Sequence, residues 1–313
     1  MEKIKYIVSW ISWPGLMLIC LAVSAYGFSA GHPIVYFNIA YAFMIVVLLL
    51  LERWMPHEKE WEAPDGQTLA SILHTLTSKG TVQAIMIFSG ALGLAELIKP
   101  VAEPAGGLWP REWPMWAQAL LGIVAAEFGL YWAHRVAHEW PLFWRMHAIH
   151  HSVRKLWVIN TGRFHFMDSV FKIILGMGVL LSLGAPLEVV QWVSIITAYI
   201  GLLTHCNVEM RFGWLSYIFN TPELHRWHHS INLEQGDMNY GENVVIWDLL
   251  FGTLYNNRSS RPPVFIGISE YMPPLFIHQL MWPYLSLKQK AVIEAQYPEM
   301  ERTPEQIAFA KVS

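Results

Sequence analysis

The sequence predicts an all-α integral membrane protein of about six transmembrane helices, with a cytoplasmic histidine-rich helical cap that holds a dinuclear metal site. Three observations carry this expectation. Of the 313 residues, 54% are hydrophobic, 16 are Trp and only 14% are charged, against about a quarter charged in soluble domains. Apolar runs long enough to cross hydrocarbon recur along the chain and are separated by turn signals. Histidines cluster, with eight of the 14 falling in one H-x-x-x-H set and two H-x-x-H-H sets.

In chain order, Lys3 and Lys5 precede an apolar run from Ile7 to Phe28, and a second run extends from Val35 to Leu51. The pair reads as a retained helical hairpin rather than a cleaved leader. Glu52 to Asp65 is a charged connection in which His57 is expected to be solvated, and Pro64-Asp65-Gly66 signals a turn. An amphipathic stretch from Gln67 to Lys79, carrying His74, leads to a third span from Thr81 to Ile98. Lys99 to Trp113, with Pro104, Gly106, Gly107 and Pro110, is a loop, and Met115 to Ala133 recrosses into His134. Ser169 to Leu183 and Leu187 to Thr204 form another hairpin about Gly184-Ala185-Pro186 and deliver His205 to the side the chain left. Pro262 to Leu287 suits the membrane surface, and the polar tail is helical near its end. Three regions follow: 1–114, transmembrane with loops; 115–260, the histidine-box region with its hairpin; and 261–313, a surface segment and tail.

With six spans, the histidines and both termini share one face. Of the 21 Lys and Arg residues, only Lys99 and Arg111 fall opposite that face or away from the edges of its spans. The positive-inside rule makes the metal face cytoplasmic. A net charge of −3 gives no nucleic-acid signal, and Cys20 and Cys206 exclude a disulfide framework.

Helical spacing sets His134 beside His138, and His147 beside both His150 and His151. His150 and His151 point about 100° apart on a helix and cannot easily share an ion, which asks for two metals. His225, His228 and His229 repeat the pattern behind Thr221-Pro222, a helix start, and His205 lies between the two copies. The expected ligands are His134, His138, His147, His150, His151, His205, His225, His228 and His229, with His165 a possible tenth. Glu127, Tyr131, His134 and His138 share a helix face, so Glu127 could accept an imidazole N–H. Asn239 and Asp248 are further candidates around the metal. Imidazole suits iron, zinc and copper, so ligand type alone does not name the ion. A mononuclear zinc site needs about three protein ligands, fewer than are offered, and the zinc-protease signature H-E-x-x-H is missing.

From Glu127 to Tyr255 the chain carries YWAHR-x-x-H, H-x-x-HHS, H-x-N, NTPELHRWHHS and NYGENVVIWDLLFGTLY. These motifs resemble the fatty acid hydroxylase and sterol desaturase superfamily of membrane di-iron oxygenases. TPELHRWHHS and the final segment are most similar to the branch of bacterial sterol-desaturase-like proteins and alkylglycerol monooxygenase. Where relatives often have Arg-x-His-Pro, this chain has Phe166 after His165. The resemblance implies two iron ions, dioxygen as co-substrate, and electrons from a separate donor such as cytochrome b5 or a ferredoxin system. It implies a lipid substrate, fatty acyl, sterol or ether lipid, that is hydroxylated or desaturated, and a bacterial inner membrane suits it better than endoplasmic reticulum. A histidine-rich metal-binding or transport protein is the alternative of another class; transporters place ligands at the membrane midplane, whereas these lie at span ends. A di-zinc hydrolase on the same scaffold is a third reading.

Overall fold

The computed structural model describes residues 1–91 and 108–311. Within them the chain is helical, with isolated β-bridges but no strand. α1 (Glu2–Ser29) and α2 (Pro33–Trp54) form the N-terminal hairpin, and α3 (Thr68–Ala91) follows the Gly66 turn. Gly66 has φ +70, and the Asp65 carboxylate accepts the Gln67 N–H at 3.0 Å, so the turn that the sequence signals forms as a local side-chain bond. The expected third span from Thr81 to Ile98, and the loop that follows, lie largely outside the described residues. α4 (Met115–Glu139), α5 (Pro141–His151), α6 (Phe166–Ser182) and α7 (Leu187–His205) carry the first two boxes and the second hairpin. Pro141 starts α5 directly after Trp140, the residue that ends α4, so the first two boxes meet at a corner. α8 (Pro222–His228), α9 (Leu233–Gly236) and α10 (Ile246–Phe251) close the site region. α11 (Phe276–Met281), α12 (Leu287–Glu294) and α13 (Pro304–Ala310) are short, and α11 packs on α3.

Among the described residues, three helices, α1, α2 and α7, are long and apolar enough to cross a membrane. α6 has only 17 residues, and Gln118, Glu127 and the histidine-bearing end dilute the apolarity of α4.

Packing follows from what helices can use where lipid surrounds them: close approach of small residues and a few polar bonds. α4 and α6 make the tightest pair. A Cβ at Gly129 would collide with the Leu175 carbonyl, so only glycine permits this approach, and it places His134 and Lys172 beside one site. α7 is the central post. Tyr199, Ile200 and Leu203 are buried against Cys20, Met44 and Leu48 of the first hairpin, and Ser24 meets the Tyr199 hydroxyl at 2.7 Å. His205 is thereby fixed at the end of a helix that cannot slide.

Candidate metal centre

α4 offers His134 and His138 one turn apart, and α5 offers His147, His150 and His151. α8 and its cap offer His225, His228 and His229, and α7 ends on His205. The nine form two adjoining groups. His134, His138, His147, His151 and His228 offer nitrogens within 4.8 Å of one another, and so do His150, His205, His225 and His229. The groups touch: the His151 ring stacks on His229 with centroids 4.4 Å apart. His150 and His151 go to different groups, as their angular separation demands. The two H-x-x-H-H copies are used in opposite senses. On α5 the i, i+4 pair His147/His151 serves the five-histidine group and His150 the other; on α8 the pair His225/His229 serves the four-histidine group and His228 the five.

Outer ring nitrogens are tied to acceptors. His134 Nδ1 donates to the Tyr240 carbonyl at 2.8 Å and His228 Nδ1 to the Met238 carbonyl at 2.7 Å. His138 Nδ1 donates to Asp237 at 2.9 Å and His147 Nδ1 to Asp168 at 3.0 Å. His150 Nδ1 faces the Arg163 carbonyl at 3.3 Å, and His205 Nδ1 faces Asn160 Oδ1 at 3.4 Å. Each bond puts the ring's proton on Nδ1 and leaves the Nε2 lone pair pointing inward.

Those inner nitrogens fit a cation. The buried Nε2 atoms of His134, His147 and His228 have no hydrogen-bond partner. His225 Nε2 lies 2.9 Å from His205 Nε2 and 3.1 Å from His229 Nε2, and one ring proton cannot satisfy both contacts. Protonation does not relieve the conflict. Burial holds His147 down to about 4, against a partial upward pull from Asp168, and keeps His150, His151, His225, His228 and His229 well below the usual imidazole range. Converging lone pairs on neutral, buried rings are what a pair of imidazole-preferring metal ions would neutralise.

The remaining candidates stand around the groups. Glu127 accepts no imidazole proton. Its carboxylate takes the Asn243 backbone N–H at 3.0 Å, the Asn243 side chain at 2.8 Å and the Glu242 N–H. Asp248 takes the Tyr240 and Gly241 N–H groups, each at 2.8 Å. Asn239 sits at φ 57, in the left-handed region, and its side chain bonds Leu224 O and both backbone groups of Tyr255. All three residues brace one loop, and that loop supplies the Met238 and Tyr240 carbonyls to His228 and His134. His165 lies apart from both groups. Its Nδ1 caps α6 by accepting the Met167 N–H at 3.2 Å, and its other nitrogen reaches Leu280 O. His74 bonds Gln279 at 3.0 Å. His57, expected in solvent, is instead enclosed, with Nδ1 2.9 Å from Glu209. Three residues outside the expected set also matter: Asp168 stands behind His147, Glu242 lies 3.5 Å from His134 Nδ1, and Lys172 bonds Glu242.

Among the described residues, openings reach both groups. A small one of about 160 Å3, lined by Trp144, Leu233 and Ile268 as well as by Asp237 and Glu270, ends on His138, His151 and His228. A larger, mainly apolar cavity of about 430 Å3 runs between α2, α3, α6 and α7 and ends on His150, His205 and His225.

A helical frame that buries two adjoining groups of neutral imidazoles defines the histidine-box class of membrane-associated protein. A family model described as fatty acid hydroxylase matches residues 119–253, which include all nine histidines. Over 308 residues the chain is 47% identical to the ornithine lipid hydroxylase OlsE of Rhizobium tropici, spanning 97% of this chain and 92% of that protein. Alkylglycerol monooxygenases of Xenopus tropicalis and Homo sapiens are 31% and 32% identical, over 46% of this chain and 31% of each of theirs. No solved structure matches. The chain belongs to the fatty acid hydroxylase family and is an enzyme of the hydroxylase and monooxygenase class.

Proposed function

We propose that this enzyme hydroxylates a C–H bond of a membrane lipid, using dioxygen and two iron ions held by the nine histidines. The lipid is of the acyl amino acid kind that the name of the Rhizobium relative describes. The observation that carries this reading is the apolar cavity that starts among candidate membrane helices and ends on three imidazoles. A lipid can slide from the bilayer into it without entering water.

Bound iron supplies an oxidant, formed from dioxygen, that takes hydrogen from an unactivated C–H bond. The balance is one C–H bond and one O2 with two electrons and two protons, giving one C–OH and one water. The chain's part is to orient the rings through their Nδ1 bonds, to keep bulk water from the four-histidine group, and to hold one substrate carbon against the site. Electrons come from a separate donor of the cytochrome b5 or ferredoxin type. Six spans, with the histidines at the cytoplasmic face of a bacterial inner membrane, complete the proposal; the distribution of Lys and Arg supports it.

The test is metal content and Mössbauer spectroscopy of protein from iron-57-fed cells, then reduction and exposure to labelled dioxygen with ornithine lipid. Two coupled irons per chain and one labelled oxygen in the lipid are expected. Zinc alone, with no oxygen reaction after iron reconstitution, would replace this reading by the di-zinc hydrolase.

A further inference from the structure

Lys172 stands on α6 at the inner end of the apolar cavity, and its side chain is only 9% exposed. Its ammonium group makes one hydrogen bond, to Glu242, and lies 4.7 Å over the Phe164 ring. Phe164 stacks on His150 with centroids 4.1 Å apart, and Glu242 Oε1 is 3.5 Å from His134 Nδ1. Lys172 is therefore one side chain away from a ligand of each histidine group. An ammonium carries three N–H donors; one is spent on Glu242, another can point at the Phe164 ring, and among the described residues no further acceptor bonds it. Leaving donors unmade beside an apolar cavity is unfavourable, a cost that an apolar side chain at this position would not incur. Such a cost at the closed end of a cavity is recovered when a ligand brings the acceptor.

The chemistry of that acceptor follows from the other charges on the wall. The cavity is lined by two cations, Lys79 at its exposed end and Lys172 at its inner end, and by one carboxylate, Glu242. Among the described residues Lys79 bonds the Tyr41 hydroxyl, at 2.7 Å, and Lys172 spends one donor on Glu242. The wall therefore carries one positive charge beyond its internal pair, that of Lys79, while Lys172 shares its own charge with Glu242 and, at longer range, Asp168. Leu130, Ile173 and Ala198 line the rest, which suits hydrocarbon.

We propose that Lys172 is the anchor for an anionic oxygen group, a carboxylate, carried by the lipid, and that this contact decides which carbon stands at the four-histidine group. Lys172 is thus a specificity-determining residue, and its partner Glu242 holds the ammonium in place while bearing on His134. The inference rests on the reading of this cavity as the lipid site.

The experiment measures lipid binding rather than turnover, so it does not depend on the iron reading. Full-length protein in nanodiscs is titrated with ornithine lipid and with its carboxyl methyl ester, and occupancy is read by native mass spectrometry. Wild type is expected to prefer the acid by about ten-fold or more, the size of one charge-assisted bond out of bulk water. Lys172→Met should abolish the preference and Lys172→Arg should keep most of it. Because Lys172→Met strands Glu242, the double variant Lys172→Met/Glu242→Gln provides a neutral pair; it too should bind both lipids alike. Iron content is measured in parallel, so that damage to the metal centre through Glu242 and His134 is told apart from loss of the lipid preference. Equal binding of acid and ester by wild type, or a preference that survives in both Met variants, overturns the anchor. Absence of iron, or of oxygen transfer by wild type, overturns the oxygenase reading and leaves the binding result to stand by itself.

Discussion

In the five-histidine group, four rings donate from Nδ1 to acceptors at 2.7 to 3.0 Å, two of them carboxylates. In the four-histidine group, His150 and His205 reach their acceptors only at 3.3 and 3.4 Å, both acceptors are neutral, and the Nδ1 atoms of His225 and His229 have no partner. The first group opens to a small cavity of mixed lining, the second to a larger and almost wholly apolar one. A carboxylate behind an imidazole raises its basicity and fixes its direction, so the two groups differ in how firmly they would hold a metal. One is anchored and faces a small cavity of mixed lining; the other has fewer candidate ligands, looser anchors, and the larger apolar cavity beside it. The difference teaches that two copies of one sequence motif can be turned into unequal halves by what stands behind each ring.

Removing a ligand should have the largest effect. His150→Ala and His228→Ala are each expected to lower activity by at least about a thousand-fold while the protein still inserts, since each removes a ring that bound metal requires. The iron count should separate them. His150→Ala leaves three imidazoles in a group of four, and iron should fall toward one per chain; His228→Ala leaves four in a group of five, and the loss should be smaller. Full activity in either variant would count against a two-metal site, and identical iron loss would erase the asymmetry.

A smaller effect is expected behind the ring. Asp168→Asn keeps the shape but removes the charge facing His147, and should weaken metal binding by about 10- to 100-fold, read by chelator competition. Asn239→Ala acts on the same group by another route. It removes the bonds to Leu224 and Tyr255 and puts a residue ill-suited to φ 57 between the two carbonyls that orient His134 and His228. It should cost stability of about 1–3 kcal/mol in thermal unfolding, and iron should leave the five-histidine group first. If iron leaves the other group first, this loop does not brace the rings assigned to it.

Acid sharpens the comparison further. The buried rings have pKa values depressed below that of an unfolded-chain histidine, near 6.5, and for His147 the value is about 4. Between those values the unfolded chain binds protons that the folded chain refuses. Stability of the metal-free protein should therefore be complete above about pH 7, and should fall as pH drops from about 6.5 toward 4. Circular dichroism melts across that range read the slope. A flat profile would mean that the rings are charged, and that the inner nitrogens are not free to hold metal.

Much of this centre was legible before any coordinates, because helical periodicity is a local rule. The nine histidines, the separation of His150 from His151, and the helix start at Thr221-Pro222 all depend on neighbours within one turn. The opposite use of the two H-x-x-H-H copies depends on how α5 and α8 face each other across the site, which no local spacing encodes. Glu127 shows the same limit. It does share a face with His134, yet its carboxylate is taken by backbone N–H groups of Glu242 and Asn243, over a hundred residues away in sequence. His57 was misread because a histidine in a charged stretch looks solvated; Glu209, from beyond α7, encloses it. Lys172 lies within the Ser169 to Leu183 run, and its place on the cavity depends on how α6 packs against α4, which no local spacing encodes.

Asn160→Ala is expected to have the smallest effect of the set, and for that reason it is the strictest test of the comparison. Asn160 faces His205 Nδ1 at 3.4 Å, a distance at which little bond energy remains, and spends its stronger bond on the Lys155 carbonyl at 2.7 Å. If the four-histidine group is held loosely, deleting this acceptor removes little orientation that the ring possessed, because His205 is already fixed by its place at the end of buried α7. Chelator competition should then show metal affinity within about three-fold of wild type, against the larger loss for Asp168→Asn. An effect as large as that of Asp168→Asn would mean that the 3.4 Å contact tightens when metal binds. The looseness of this group would then be a property of the metal-free rings alone, and the placement of substrate against it would have to come from the cavity wall rather than from mobility of the ligands.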